Sequence, residues 1–192
     1  MVEAAALAGG AKAERWFLDA CVLYPQLLRR VLLGLGHAGL VQPFWSKRVL
    51  EEWRIAAARA GGMAAEAAVR GEVAAMAAAF PGAEVVPDPG IDAVLSLPDP
   101  ADAHVAAGAA SAGARVITLN IRDFPARRLA AHDLVAEHAD SALWRLHGAA
   151  PEAVSRIAAE MAAVLAPGTG LRGALKRAGV PRFAKAVTTP EG

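Results

Sequence analysis

The stretch "LPDPADAHVAAGAA", residues 97–110, sets two carboxylates, Asp99 and Asp102, around a proline at the mouth of an apolar run. Such a pair can start a helix or help to hold a cation, and the choice depends on whether other acids point at the same place. Three further segments offer them. Asp19 ends the apolar "RWFLD", "VITLNIRDFP" runs from an apolar stretch into Asn120 and Asp123, and Glu52 lies in the first half of "SKRVLEEWRIAAARA". Unpaired carboxylates brought close together repel and raise one another's pKa values. A hard divalent cation removes that penalty, and Mg²⁺ or Mn²⁺ prefers oxygen ligands while keeping several waters.

Each acid also has a plainer reading. Asp99-Pro100-Ala101-Asp102 is a good helix start by itself, with an Asp N-cap, Pro at N1 and an acid at N3 facing the positive end of the dipole. Asp99 reads as the cap, and Asp102 stays open between dipole partner and ligand. Glu51 reads as part of a solvated helix face, and Asp123 can equally serve a turn before Phe124-Pro125. The combination carries the metal-site reading, because no single acid does.

These residues need elements to position them. "RWFLD" reads as a short buried strand and "YPQLLRRVLLGLGHAG" as a helix entered through Pro25 and left through glycines. "SKRVLEEWRIAAARA" reads as a helix capped by Ser46, with Val49, Leu50, Trp53 and Ala57 on one face. "MAAEAAVRGEVAAMAAAF" is a further helix, "AEVVP" a short strand, Pro100 to about Ala112 a helix and "ARVITL" a strand. "DLVAEH" has the character of one more strand. This order of strand, helices, strand, helix, strand predicts a parallel sheet with helices on both faces. In such a sheet, sites form outside the carboxyl ends of the strands. Asp19, Asn120 and Asp123 fall there, and Asp102 opens the helix that feeds the last of these strands. Residues 1–14 read as a flexible tail, 15–135 as the core domain, and 136–192 as a helical C-terminal extension.

Composition narrows the field. The 192 residues suffice for one real core, but much of the 55% hydrophobic content is alanine and only 5% is aromatic, so the core must be aliphatic. A net charge of +1 gives no global pull toward nucleic acid or membrane. One cysteine, Cys21, rules out an intrachain disulfide and suits a reducing cytoplasm; it reads as a small buried hydrophobe. The first fourteen residues lack a basic region followed by an apolar core, and the longest uncharged run, Val31 to Ser46, is shorter than the roughly 20 residues a membrane span requires. A cytoplasmic protein without membrane attachment is expected. No phosphate-binding loop, dinucleotide fingerprint or nucleophile elbow is present, and histidines 37, 104, 132, 138 and 147 do not pair at zinc-ligand spacing. His104 is expected on a helix surface.

Taken together, "FLDACVLYP", "WSKRVLEEW" and "PDPADAHVAAGAASAGARVITLNIRDFP" resemble the PIN domain, specifically its VapC-like toxin branch. That family has an Asp ending the first strand, a Glu on an early helix, an Asp opening a later helix, and a "T-x-[DN]-x-x-D-F" segment after the next strand. These places fall on Asp19, Glu52, Asp102, and Asn120 with Asp123. The resemblance spans about residues 15–130; the C-terminal segment is similar to the helical extension of one subgroup. Position 120 departs from the commoner Asp, keeping an oxygen ligand but losing a charge.

The resemblance implies a three-layer α/β/α sandwich and a Mg²⁺- or Mn²⁺-dependent endoribonuclease, the toxin of a toxin–antitoxin pair acting on structured RNA such as tRNA or rRNA. Asp19, Glu52, Asp102 and Asp123 would be catalytic and, with Asn120, would hold the metal. Cleavage would leave 5′-phosphate and 3′-hydroxyl ends. A cognate antitoxin covering the acids and a homodimer are implied as well. Because acids repel RNA, basic residues must hold the strand; Arg29, Arg30, Lys47, Arg48, Arg122, Arg127 and Arg128 are candidates, each of which a solvated face explains equally well. The alternative is a PIN-like RNA- or protein-binding module without catalysis, which needs no metal for RNA affinity.

Overall fold

The computed structural model describes residues 13–189. The expected tail therefore lies almost wholly outside the described residues. Strand β1 (Glu14–Leu18) pairs in parallel with β2 (Val41–Phe44) on one side and β3 (Arg115–Thr118) on the other. Strand β4 (Ala136–His138) pairs in parallel with β3, so the sheet order is β2-β1-β3-β4. The chain is thus α/β with an all-parallel four-stranded sheet. Pro43 sits in β2, where a residue without an N–H is tolerated at a sheet edge. The expected strand "AEVVP" reduces to a single parallel bridge between Glu84 and Trp45 beyond the end of β2.

From β1 the chain leaves in one direction through α1 (Ala20–Leu23) and α2 (Gln26–His37) to β2. It returns across β1 through α3 (Lys47–Ala79), α4 (Pro89–Val94) and α5 (Ala103–Ala112) to β3. Right-handed crossovers running in opposite directions put their helices on opposite faces, which is compatible with a three-layer stack. The point where the two directions part, between the carboxyl ends of β1 and β3, is the topological switch point where ligands bind in open sheets.

Local chemistry sets these elements. Ser46 caps α3, its Oγ accepting from the Val49 N–H at 3.3 Å, and Val49, Leu50, Trp53 and Ala57 are buried along one stripe. At Gly62 the backbone adopts φ 65°, ψ −157°, a glycine conformation that breaks α3 into the two helical pieces the sequence predicts. The alanine and glycine of α5 let it lie close to the sheet: a Cβ added at Gly108 would meet the Phe17 ring at 2.4 Å.

The boundary expected at 135/136 falls inside the sheet. β4 is a sheet strand, α7 (Ala139–Ala149) packs on β3 and β4, and α8 (Pro151–Leu165) packs on α2. Leu143, Val154, Leu175 and Phe183 are buried in one core with Phe17 and Val116, so residues 136–189 belong to the same folded unit and are not an appended extension. β4 forms the second half of the strand expected at "DLVAEH", but its three residues are only half-buried, too short and polar to show in sequence that the boundary falls beyond it. Helix α6 (Ala126–Ala130) connects β3 to β4, while α9 (Leu171–Arg177) and α10 (Pro181–Ala186) close the chain against α7 and α8. Among the described residues, no helix is long and apolar enough to cross a membrane.

Candidate active site

Asp19 follows β1 directly, and its N–H donates to the Ile117 carbonyl of β3 at 3.1 Å, which fixes it at the switch point. It occupies the N-cap position of α1 but makes no side-chain cap bond. Its Oδ2 instead accepts from Thr118 Oγ1 at 2.7 Å and from Cys21 Sγ at 3.0 Å. The hydroxyl of Thr118, having given its one proton to Asp19, accepts from the Asn120 N–H at 2.9 Å. Cys21 likewise accepts from the Leu119 N–H at 3.1 Å. The chain of donors therefore ends on the Asp19 carboxylate, held through one oxygen. Its other oxygen has no hydrogen-bond donor among the described residues.

Cys21 is half-buried, as the sequence suggests, but it is not an inert space-filler. Burial, followed by the Asp19 charge, pushes its thiol up to about 12. It stays protonated at neutral pH and acts as a donor to Asp19, not as a nucleophile.

Asp99 and Asp102 divide the two roles open to them. Asp99 Oδ1 accepts from the Ala101 N–H at 2.8 Å and caps the 3₁₀ turn Pro100–Asp102. Asp102, at the junction of that turn with α5, makes no side-chain cap bond. Its carboxyl is raised from 3.8 to about 6, first by burial and then by the charges of Asp19, Asp99, Asp123 and Glu52. The tertiary structure thus brings together acids from four segments that are far apart in sequence. Asp123 ends the turn Ile121–Asp123 just past β3 and is half-buried, and the Asn120 side chain is exposed beside it with no cap bond.

Glu52 reaches the cluster from the second turn of α3. Its Oε1 lies 3.4 Å from Arg48 Nε and 2.9 Å from His104 Nε2. His104 corrects the sequence expectation of a surface position: it is 1% exposed, on the face of α5 turned inward. Its contact with Glu52 is close, but the ring falls outside hydrogen-bond geometry, and neither ring nitrogen has a hydrogen-bond partner. In sequence His104 reads as a helix-surface residue, and Thr118, though it opens the "TLNIRDF" segment, carries no role. A lone polar side chain within the alanine run "AHVAAGAA" and a threonine closing an apolar strand are the signals that could have marked them.

The candidate RNA contacts separate clearly. Lys47, Arg48, Arg122, Arg127 and Arg128 are exposed. Arg48 Nη2 donates to the Ala101 carbonyl at 3.1 Å, tying α3 to the turn that carries Asp102. Arg128 Nη1 donates to Ser96 at the carbonyl (2.8 Å) and the hydroxyl (2.7 Å). Arg30 is paired with Glu72 at 2.8 Å. Arg29 does not belong in the set. It is 4% exposed, donates to the Leu23 carbonyl, stacks 4.5 Å over Trp53 and lies 3.5 Å from Glu72, so it is a core cation beyond the reach of RNA.

The donor set is oxygen-rich, with Glu52 alone among its acids facing a cation, Arg48, and this suits a hard divalent cation. Among the described residues no three His, Cys, Asp or Glu side chains converge closely enough to ligate one ion directly. Mg²⁺ is commonly held through one or two carboxylates with retained waters, so the set fits the ion without an all-protein cage. Comparison of the chain with protein-family models, curated proteins and solved structures finds no match.

Proposed function

We propose that this protein is a metal-dependent endoribonuclease of the PIN type, the toxin of a toxin–antitoxin pair. The observation that carries the reading is the gathering of Asp19, Glu52, Asp102 and Asp123 from four segments at the switch point of a parallel sheet, where burial first and then the neighbouring acids raise the Asp102 carboxyl. A generic α/β domain whose acids were only caps would scatter them. The motif resemblance over residues 15–130 supplies the family, the PIN-like three-layer arrangement, the RNA substrate, the homodimer and the antitoxin that would cover the acids; the cytoplasmic setting rests on the single cysteine and the sequence pattern.

Asp19, Asp102 and Asp123, with Glu52 and Asn120, would hold Mg²⁺ or Mn²⁺. The bound ion would lower the pKa of a water and neutralise charge developing on the phosphate. The protein's own part is positional. Thr118 and Cys21 hold Asp19 through Oδ2 and leave its other oxygen for the ion. Arg48 fixes the Asp102 turn, and the Asn120 amide oxygen orients water without adding a charge. Lys47, Arg48, Arg122, Arg127 and Arg128 would hold the phosphodiester backbone against the repulsion of the acids.

One observation favours the alternative of a binding module: Glu52 is already engaged by Arg48 and His104. Incubation of the purified protein with total tRNA and rRNA, with Mg²⁺ or with chelator, separates the two. Cleavage that requires the metal and disappears in Asp19→Asn supports the nuclease. RNA binding with equal affinity in both conditions and no cleavage supports the module.

A further inference from the structure

We infer that the α9–α10 surface is the track on which a single-stranded segment of RNA approaches the acids; the inference deepens the nuclease reading and rests on it for the choice of RNA as occupant. Between Glu160 and Glu191 the chain carries five cations, Arg172, Lys176, Arg177, Arg182 and Lys185, and no acid. All five are exposed, and none forms an ion pair with a described residue. Elsewhere the cations are mixed: Arg30, Arg48, Arg54, Arg70, Arg115, Arg145 and Arg156 have acidic partners, while Arg15, Lys47, Arg59, Arg122, Arg127 and Arg128 have none among the described residues but lie on segments that also carry acids. An ordinary solvated helix face intersperses the two signs, as Arg156 and Glu160 do on α8. The C-terminal pair of helices does not.

This surface adjoins the acidic edge. Gly179, in the α9–α10 turn at φ +87°, lies so near Leu119 that an added Cβ would be 3.2 Å from Leu119 Cδ2. Leu119 is the residue between Thr118 and Asn120, so the turn rests on the segment that delivers the site. The surface is also a fixed part of the fold. Leu175, Val180 and Phe183 are buried beneath it, and the Asp140 carboxylate accepts from the Arg182 and Phe183 N–H groups at 3.0 and 2.8 Å, capping α10.

A stacking plane completes it. The Arg182 guanidinium lies 3.5 Å over the ring centroid of Trp144, which is 43% exposed. One face of the exposed guanidinium covers the indole, and an unpaired base would stack on the other. Cations that follow a backbone, joined to planar groups on which bases stack, are the means by which proteins hold single strands. An acidic peptide or an anionic membrane would feel the same cations but would gain nothing from the stacking plane.

The test uses the full chain carrying Asp19→Asn, so that RNA is bound but not cut, in chelator across a salt series. The probe is a fluorescent single-stranded RNA of mixed sequence. The triple variant Lys176→Gln, Arg177→Gln, Lys185→Gln is compared with Arg59→Gln, Arg70→Gln, Arg156→Gln, which removes the same charge from other helices. Each lost phosphate contact on a single strand lowers the salt slope by about 0.7, so the first triple should flatten it by up to about two units and the second hardly at all. Arg182→Gln should weaken binding of the normal strand more than that of an abasic one. If the first triple melts early, Lys176→Gln, Arg177→Gln alone takes its place. Equal slopes for the two sets overturn the inference, as does a larger loss on polyglutamate or phosphatidylserine vesicles than on RNA. Wild-type cleavage is followed in parallel: metal-dependent cutting with an unaltered slope sinks the track alone, a flattened slope without cutting sinks the nuclease alone, and no RNA affinity at all sinks both.

Discussion

Asp102→Asn puts the crowding of the acids to a direct thermodynamic test. The carboxyl of Asp102 is raised from 3.8 to about 6 in the folded protein, first by burial and then by Asp19, Asp99, Asp123 and Glu52. Because the folded value lies above the unfolded one, the native state holds the proton more tightly. The stability this contributes is complete below about pH 3.8 and is lost as pH rises through 6. A shift of about two units is worth about 3 kcal/mol at 1.36 kcal/mol per unit, and partial exposure of the group reduces that to roughly 1–2 kcal/mol. Asparagine stays neutral and avoids the loss. In chelator at pH 7, Asp102→Asn should therefore be more stable than wild type by roughly 1–2 kcal/mol, or about 3–6 °C in Tm for a chain of this size. Near pH 3.5 the two should coincide. Excess Mg²⁺ should raise the wild-type Tm more than that of the variant and narrow the gap, because the ion binds only where the charge remains. Urea and thermal melts of both proteins at pH 3.5 and 7, with and without Mg²⁺, supply every comparison. Equal stability at pH 7, or a less stable variant, would refute the reasoning and leave Asp102 an ordinary surface acid.

Asp99→Ala removes the cap on the Ala101 N–H and should cost about 1 kcal/mol by urea melt, while metal-dependent cleavage per folded molecule stays close to wild type; a collapse of cleavage would move Asp99 into the site. Thr118→Val keeps the shape but removes both the donor to Asp19 and the acceptor for the Asn120 N–H, so Mn²⁺ affinity by calorimetry should fall about 10–100-fold and recover in Thr118→Ser. Unchanged affinity in Thr118→Val would mean that Asp19 does not depend on the clamp.

Much of this protein was legible in its sequence because local signals coincide with local structure. Ser46 capping α3, Pro25 leading into α2, Asp99 capping the turn before α5, and the apolar runs of β1 and β3 are each written in a few consecutive residues. The order of those elements is enough to predict a parallel sheet, and the switch-point rule is enough to bring Asp19 and the Asn120 segment to the same edge.

What tertiary structure alone decided depends on atoms brought together from distant parts of the chain. No periodicity could say that Arg29 turns inward onto Trp53 and the Leu23 carbonyl while Arg30, its neighbour, reaches Glu72. Long basic side chains on an amphipathic helix carry the same pattern whether they snorkel or are buried. The strand character of "DLVAEH" was legible, but that its last three residues pair with β3, and that α7 then packs on the sheet as part of the same unit, is shown only by the partner strand. The same holds for the site. That Asp99 caps and Asp102 does not follows from a turn geometry the two share, but that Asp102 is crowded follows from three other segments folding against it, which raises its pKa by burial and by charge at once.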